Sequence, residues 1–369
     1  MIETANPDSM LITSTSPHIH EGTSVRQLML DVIIALLPCV AASVWFFKAR
    51  SLLLVAVCVA SAVLTEWVCR MMMKRNNSLG DLSAIVTGLL LALTLPPAIP
   101  VWQAALGSAF SISIAKQIYG GLGYNPFNPA LIGRAFMLIS FTATMTVWSP
   151  SDWLGDKGGL EDASKPDAAT SATILKYRKI AADATTTATP LGLVKDSVKF
   201  GQPATAGFDY NNEVRDNLFV GNVNGSIGET SAIAILIGFG WLLSRRTITW
   251  HATVGYMGSM AIFAWVLQLA GSRFAMPIDF HLMAGGALFG AVFMATDMVT
   301  SPTSKLGRLI FGIGCGFLTM IIRVVPSGAY PEGVTFAILI MNALTPLINK
   351  AMRHRRFGGA NGKFAGKVA

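Results

Sequence analysis

The sequence predicts an all-α polytopic membrane protein of ten transmembrane helices arranged as two inverted five-helix repeats. Three observations carry this. Of 369 residues, 52% are hydrophobic and only 13% charged, with a mean hydropathy of +0.53, more apolar side chain than the core of a soluble domain of this length can bury. Ten apolar stretches, at 28–47, 51–72, 82–99, 101–119, 129–148, 230–247, 250–270, 281–299, 306–323 and 333–349, each run to about 17 to 23 residues, enough to cross a hydrocarbon layer of about 30 Å. A polar gap from Pro150 to Glu229 divides them into two sets of five. An odd number of spans per set forces the second to enter the membrane upside down relative to the first.

In chain order, residues 1–27 are polar and show neither a basic n-region nor a small-residue cleavage site, so the first span is expected to act as its own insertion signal. The first repeat covers 28–149. Its third span ends in Thr94-Leu95-Pro96-Pro97, and its fifth follows Asn125-Pro126-Phe127-Asn128-Pro129. The 150–229 loop carries Asp152, Asp156, Glu161, Asp162 and Asp167 among Ser/Thr/Ala/Gly runs, which places it in water. The second repeat covers 230–350. Its eighth span ends in Thr300-Ser301-Pro302, and its tenth follows Tyr330-Pro331-Glu332-Gly333. Proline and glycine at matching positions of the two halves point either to shortened or broken helices at the repeat interface or to ordinary turns between spans. A basic tail, 351–369, closes the chain.

The net charge of +8 does not indicate nucleic acid, because the basic residues fall in short runs between apolar segments. With a cytoplasmic amino terminus, the cytoplasmic segments carry fourteen: Arg26, Arg70, Lys74, Arg75, Arg245, Arg246, Lys305, Arg308, Lys350, Arg353, Arg355, Arg356, Lys363 and Lys367. The short opposite loops carry four, Lys48, Arg50, Arg273 and Arg323. This positive-inside bias puts both termini in the cytoplasm and the 150–229 loop on the outer, periplasm-like face. Cys39, Cys58, Cys69 and Cys315 lie in apolar stretches without C-x-x-C spacing, and no histidine completes a metal constellation, so no metal site is expected.

Within the outer loop, Asp183-Ala184-Thr185-Thr186-Thr187-Ala188-Thr189 resembles the pattern D-x-x-[ST]-x-A-[ST], at which a flavin transferase attaches FMN as a phosphoester. Asp183, Thr186, Ala188 and Thr189 fill its four fixed positions. A hydroxyl suits this role because it takes up the phosphate and leaves the isoalloxazine ring free for electron transfer. Thr187 stands where the pattern often has glycine, and Thr185, Thr186 and Thr187 are competing hydroxyls. Asp183 six residues upstream and Ala188 immediately before single out Thr189. A threonine-rich loop also produces such a match by chance.

The run Lys116-Gln117-Ile118-Tyr119-Gly120-Gly121-Leu122-Gly123-Tyr124-Asn125-Pro126-Phe127-Asn128-Pro129-Ala130 is similar to the signature of the RnfD/RsxD family, which supplies one membrane component of the Rnf ion-translocating oxidoreductases. So are Thr87-Gly88-Leu89-Leu90-Leu91-Ala92, Pro96-Pro97, Ala188-Thr189-Pro190-Leu191 and Gly307-Arg308-Leu309-Ile310-Phe311-Gly312, in order from about Pro17 to Arg356. The resemblance implies a bacterial inner-membrane complex that passes electrons between NADH and ferredoxin or a related low-potential carrier, coupled to Na⁺ or H⁺ movement. It implies as partners the other Rnf subunits (A, B, C, E and G) and a flavin transferase. The fold it implies is similar to that of the B subunit of the Na⁺-translocating NADH:quinone reductase (NqrB) and of urea transporters. Thr189 would then be the FMN phosphoryl threonine. A second, noncovalent flavin such as riboflavin occurs in the related NqrB protein, and no motif here locates it.

Ionisable groups in or beside spans are Asp31, Glu66, Lys116, Arg134 and Asp297. Asp297 with Thr300 concentrates hard oxygen ligands at a span end, as an ion pathway would, or Asp297 is an interfacial carboxylate meeting Arg308 or capping a helix. Asn125 and Asn128 either line an ion or flavin route in re-entrant backbone or belong to a tight turn. Glu66, Lys116 and Arg134 are expected to snorkel from predicted cytoplasmic ends, and Asp31 to be structural. No nicotinamide-binding glycine fingerprint or cluster-ligating cysteine motif is present, so NADH oxidation and iron–sulfur transfer fall to partner subunits. The rival reading of the same scaffold is a small-solute channel or transporter without redox role.

Overall fold

A computed structural model of the chain describes residues 24–76, 78–146, 148, 189–201, 203–207, 210–325 and 333–352. The motif residues Asp183, Thr186 and Ala188, the acidic part of the loop, residues 1–23 and the tail from 353 onward lie outside the described residues. Every regular element among the described residues is helical.

Helix α1 (Val25–Met72) takes in both of the first two predicted spans. Ser24 and Gln27 open it with a reciprocal capping box, and its helical path breaks at Lys48 (φ 53°, ψ −147°), which divides it into arms 25–47 and 49–72. A 3₁₀ turn (Leu79–Asp81) leads into α2 (Ser83–Leu93), whose eleven residues span only about 16 Å at 1.5 Å per residue. The predicted third span is thus about half a membrane thick. The helix ends at Thr94, whose hydroxyl donates back to the Leu91 carbonyl at 2.7 Å, and Pro96 and Pro97 keep the chain from resuming a helix until α3 (Val101–Ile112). The α3 helix runs on into a π-helical turn, Ser113–Gln117, and is followed by α4 (Pro129–Ser140) and the short α5 (Thr142–Met145).

Beyond the loop, α6 (Pro190–Lys199), α7 (Ala204–Gly207) and α8 (Asn212–Val220) form a small layer. Leu191, Val194, Val198 and Leu218 pack it onto Phe274, Met276, Phe280 and Ala284. Then come α9 (Ala232–Ser244) and α10 (Trp250–Leu269). The predicted eighth span is broken into α11 (Ile278–Met283) and α12 (Ala287–Phe289), the latter continuing as a π turn, Gly290–Met294. The cause is local: Gly285 and Gly286 are both left-handed at φ 65°. Helices α13 (Lys305–Val324) and α14 (Val334–Ala351) complete the chain. Four helices, α1, α10, α13 and α14, are long and apolar enough to cross a membrane, and α2, α4 and α9 are shorter apolar helices. The chain is a helical, multi-pass membrane protein.

Two close crossings organise the packing. Gly312 and Gly316 of α13 lie directly on the α10 backbone: a Cβ at Gly312 would strike the Ala252 carbonyl, and one at Gly316 the Tyr256 carbonyl and the Ser259 hydroxyl. This is the small-xxx-small approach by which helices pack where no water drives them together. Across the crossing the Tyr256 and Thr319 hydroxyls share a 2.7 Å hydrogen bond. In the other half, arm 49–72 of α1 crosses α3 through hydroxyls, with Ser61 donating to the Ala105 carbonyl (2.7 Å) and Ser108 to the Cys58 carbonyl (2.6 Å).

The expectation that Glu66, Lys116 and Arg134 snorkel is overturned, since they are 0%, 1% and 2% exposed. Glu66 and Lys116 find each other instead. The π turn brings Lys116 Nζ to 2.9 and 2.8 Å from the two Glu66 oxygens and 2.6 Å from Ser83 Oγ, while Ser78 Oγ and Gln117 Nε2 donate to Glu66 Oε1 at 2.6 and 3.0 Å. This network pins the start of α2 between α1 and α3.

Gly312→Leu is expected to destabilise the detergent-solubilised protein by about 1–3 kcal/mol through overpacking, read as a lowered unfolding midpoint; an unchanged midpoint would show that α10 and α13 do not approach this closely. Glu66→Ala, which leaves Lys116 buried without its carboxylate, is expected to cost about 3–5 kcal/mol, and Glu66→Leu combined with Lys116→Met to recover most of that in the same melt.

Candidate functional site

A cavity of about 70 Å³, its wall largely apolar with a set of polar side chains among it, lies between the two halves of the chain. Ser83 and Thr87 reach it from α2, Lys116 from the first π turn, Asn125 and Asn128 from the turn before α4, and Thr296 and Asp297 from the end of the second π turn. Three of the four ion-pathway candidates, Asn125, Asn128 and Asp297, are therefore brought together from opposite halves.

Their local roles are defined. Gly120, Gly121 and Gly123, at φ 119°, 110° and 96°, fold the segment before α4 into a tight turn. Asn128 caps α4, its Oδ1 accepting from the Ala130 and Leu131 amides at 3.0 and 3.4 Å. Asn125 Nδ2 donates to the Phe127 carbonyl at 3.1 Å, and its buried Oδ1 has no hydrogen-bond partner among the described residues. Asp297 accepts from the Thr300 hydroxyl (2.9 Å) and the Val299 amide (3.4 Å), so Thr300 stands behind Asp297 instead of on the cavity wall. Arg308 donates elsewhere, to the Pro302 carbonyl (3.0 Å) and the Thr249 hydroxyl (3.1 Å).

Thr189, the one attachment-motif residue within the described structure, is the N-cap of α6. Its Oγ1 accepts from the Gly192 amide at 3.1 Å, Pro190 occupies the first helical position, and the residue is 7% exposed. A Cβ at Gly192 would lie 3.2 Å from that oxygen, so glycine keeps the space beside the hydroxyl open. Across the same layer Tyr210 donates to Asp279 Oδ2 at 2.7 Å and lies edge-on to Phe280. Burial first, and then the Asp279 carboxylate, hold the Tyr210 phenol well above its ordinary pKa.

Sequence reasoning misses a second charged centre. Glu229, which the polarity of the chain puts at the end of a watery loop, is buried and ion-paired with Arg134 of α4. Its segment is fastened to the end of α2 by the Ile227 amide on the Leu95 carbonyl (3.1 Å) and the Gly228 amide on the Leu93 carbonyl (2.8 Å). The signal is present in Gly225-Ser226-Ile227-Gly228-Glu229-Thr230, where glycines bracket an acid at the edge of an apolar stretch.

Residues 12–358 match the NQR2, RnfD, RnfE family. The D subunit of the proton-translocating ferredoxin:NAD(+) oxidoreductase complex of Clostridium ljungdahlii is 37% identical over 358 residues, 97% of this chain and 99% of that one. The D subunit of the Na(+)-translocating ferredoxin:NAD(+) oxidoreductase complex of Acetobacterium woodii is 41% identical over 350 residues, 94% of this chain and 95% of that one. The D subunit of the ion-translocating oxidoreductase complex of Stutzerimonas stutzeri is 41% identical over 343 residues, covering 92% and 94%. A match over almost the whole length, to the family and to these relatives alike, means that the chain belongs to the NQR2, RnfD, RnfE family.

Proposed function

We propose that this chain is a membrane subunit of an ion-translocating ferredoxin:NAD(+) oxidoreductase complex of the bacterial inner membrane. In this reading it relays electrons through FMN esterified to Thr189, and Na⁺ or H⁺ movement is coupled to the relay. The observation that carries the reading is the setting of Thr189. Its hydroxyl opens a helix, where backbone amides and the positive end of the helix dipole favour a phosphate, and Gly192 leaves room beside it. Thr189 would hold the phosphate; Asp183, Thr186 and Ala188 complete the attachment motif. When bound, FMN supplies the electron transfer. The chain's part is to fix the phosphate end to α6, which the Leu191–Phe280 layer seats on α11.

The membrane portion is read as ten spans in two inverted five-helix repeats, 28–149 and 230–350, with a periplasmic 150–229 loop and cytoplasmic termini. Both halves support this by the same division of labour. In each, the second long helix or helix arm packs on the fourth, and a short helix ends or begins inside the protein. Asp297, Asn125 and Asn128, with Thr300 behind, are assigned to the ion pathway. The other Rnf subunits supply nicotinamide and iron–sulfur chemistry, a flavin transferase matures the chain, and a second, noncovalent flavin such as riboflavin belongs to the same reading. A small-solute channel would need the seam between the short helices open. The Arg134–Glu229 pair fills that seam.

Coexpression with a flavin transferase, followed by denaturing electrophoresis, is expected to show in-gel flavin fluorescence in the wild type and none in Thr189→Val; an unlabelled wild-type band would remove the redox reading, and label persisting in the variant would move the site to a neighbouring threonine. Gly192→Val, which fills the space beside the hydroxyl, is expected to cut labelling several-fold in the same gel.

A further inference from the structure

We propose that Glu229 is the carboxylate of an exchangeable monovalent-cation site, completed by the Ser226 and Thr230 hydroxyls and closed by Arg134. The three oxygen-bearing residues occupy one five-residue turn, drawn together by the Glu229 amide on the Ser226 carbonyl at 3.2 Å. Ser226 is 0% and Thr230 4% exposed, and neither hydroxyl has a hydrogen-bond partner among the described residues; the buried Oδ1 of Asn224, two residues before Ser226 in the chain, is also without one. Buried hydroxyls are rarely left unsatisfied, and a water or an ion is the usual explanation. Carboxylate, hydroxyl and amide oxygens are the ligands a hard cation takes.

The seat has the right polarity and is tightly built. It lies at the carbonyl end of α2, where the helix dipole favours positive charge, and Gly228 fits so closely that a Cβ there would meet Leu93 Cβ at 2.5 Å. On the other side a Cβ at Gly286 would fall 2.5 Å from the Glu229 carboxyl carbon. The charged groups facing the site among the described residues are Arg134 from α4 and, behind the glycine pair, Arg323 from α13, which donates at 3.2 Å to the carbonyl of Gly285, the residue before Gly286.

Charge balance dictates the exchange. With Arg134 seated, Glu229 is neutralised and the site is closed. When the guanidinium withdraws, a bare buried carboxylate is strongly unfavourable, so Na⁺ or a proton must take its place as it leaves. The left-handed pair Gly285–Gly286 provides a hinge against the carboxylate, and the stretch just before it, α11 and its C-cap Ala284, carries the Phe280 and Ala284 contacts of the layer that begins at Thr189. The inference rests on the reading that this chain takes part in ion movement.

The test uses the purified complex in liposomes carrying Thr230→Val with Ser226→Ala, and follows ferredoxin:NAD(+) turnover against NaCl at constant ionic strength and against pH. The half-saturating Na⁺ concentration is expected to rise about tenfold, and Thr230→Ser, which keeps the hydroxyl, to restore it. If wild-type turnover is indifferent to Na⁺, the proton is the occupant, and the acidic limb of the pH–rate profile is expected to disappear in Glu229→Gln and to shift by about one pH unit in the double variant. Curves that superimpose on wild type in all of these variants would overturn the site. If the double variant does not assemble, Thr230→Val against Thr230→Ser decides by the same curves. Flavin labelling is read on the same preparations, so a wild-type chain without label counts against the FMN reading alone and leaves the cation curves to judge the site.

Discussion

Every backbone amide and carbonyl that leaves helical pairing inside this molecule must find a partner within the protein, because the hydrocarbon around it offers none. The rest of the architecture follows from how the interruptions are met. The end of α2 is closed by the amides of Ile227 and Gly228. The carbonyls of His281, Ala284 and Gly285, left over where the eighth span breaks, accept from Arg323 at 2.7, 2.8 and 3.2 Å. The start of α4 is closed by Asn128. Short helices inside an apolar protein are therefore sustained by polar side chains and strand-like backbone pairs brought from elsewhere in the chain.

Those side chains are largely cations, and their placement repeats. Lys116, at the end of the fourth element of the first half, reaches the start of that half's short helix through Ser83. Arg323, at the end of the fourth element of the second half, reaches the carbonyls just before its short helix. The third buried cation, Arg134, joins α4 to the segment that follows α8. Breaking such a pair is costly because one charge is left in a low-dielectric interior.

The layer of α6, α7 and α8 packs on the membrane portion at Phe274, Met276, Phe280 and Ala284. Phe280 and Ala284 carry the contacts of the layer that begins at Thr189, and the glycine pair just beyond them abuts Glu229.

Much of this is legible in the sequence. Length and spacing of apolar stretches set the helical membrane class, because hydrophobic length is a one-dimensional property. Pro96-Pro97 marks where a helix has to stop, since proline acts on its own neighbours. Asn128-Pro129 has the local form of a helix start. The charged residues resist such reading for the opposite reason. Whether Lys116 snorkels or is buried depends on Glu66, fifty positions away, and on a π turn that redirects the side chain. Glu229 looks like loop because its partner, Arg134, comes from another helix. By itself the sequence determined which segments are apolar, where helices must break, and which hydroxyl matches an attachment motif. Only the tertiary structure decided which charges meet and which oxygens are left facing inward, because pairing across the membrane interior is set by helix packing that no local pattern records.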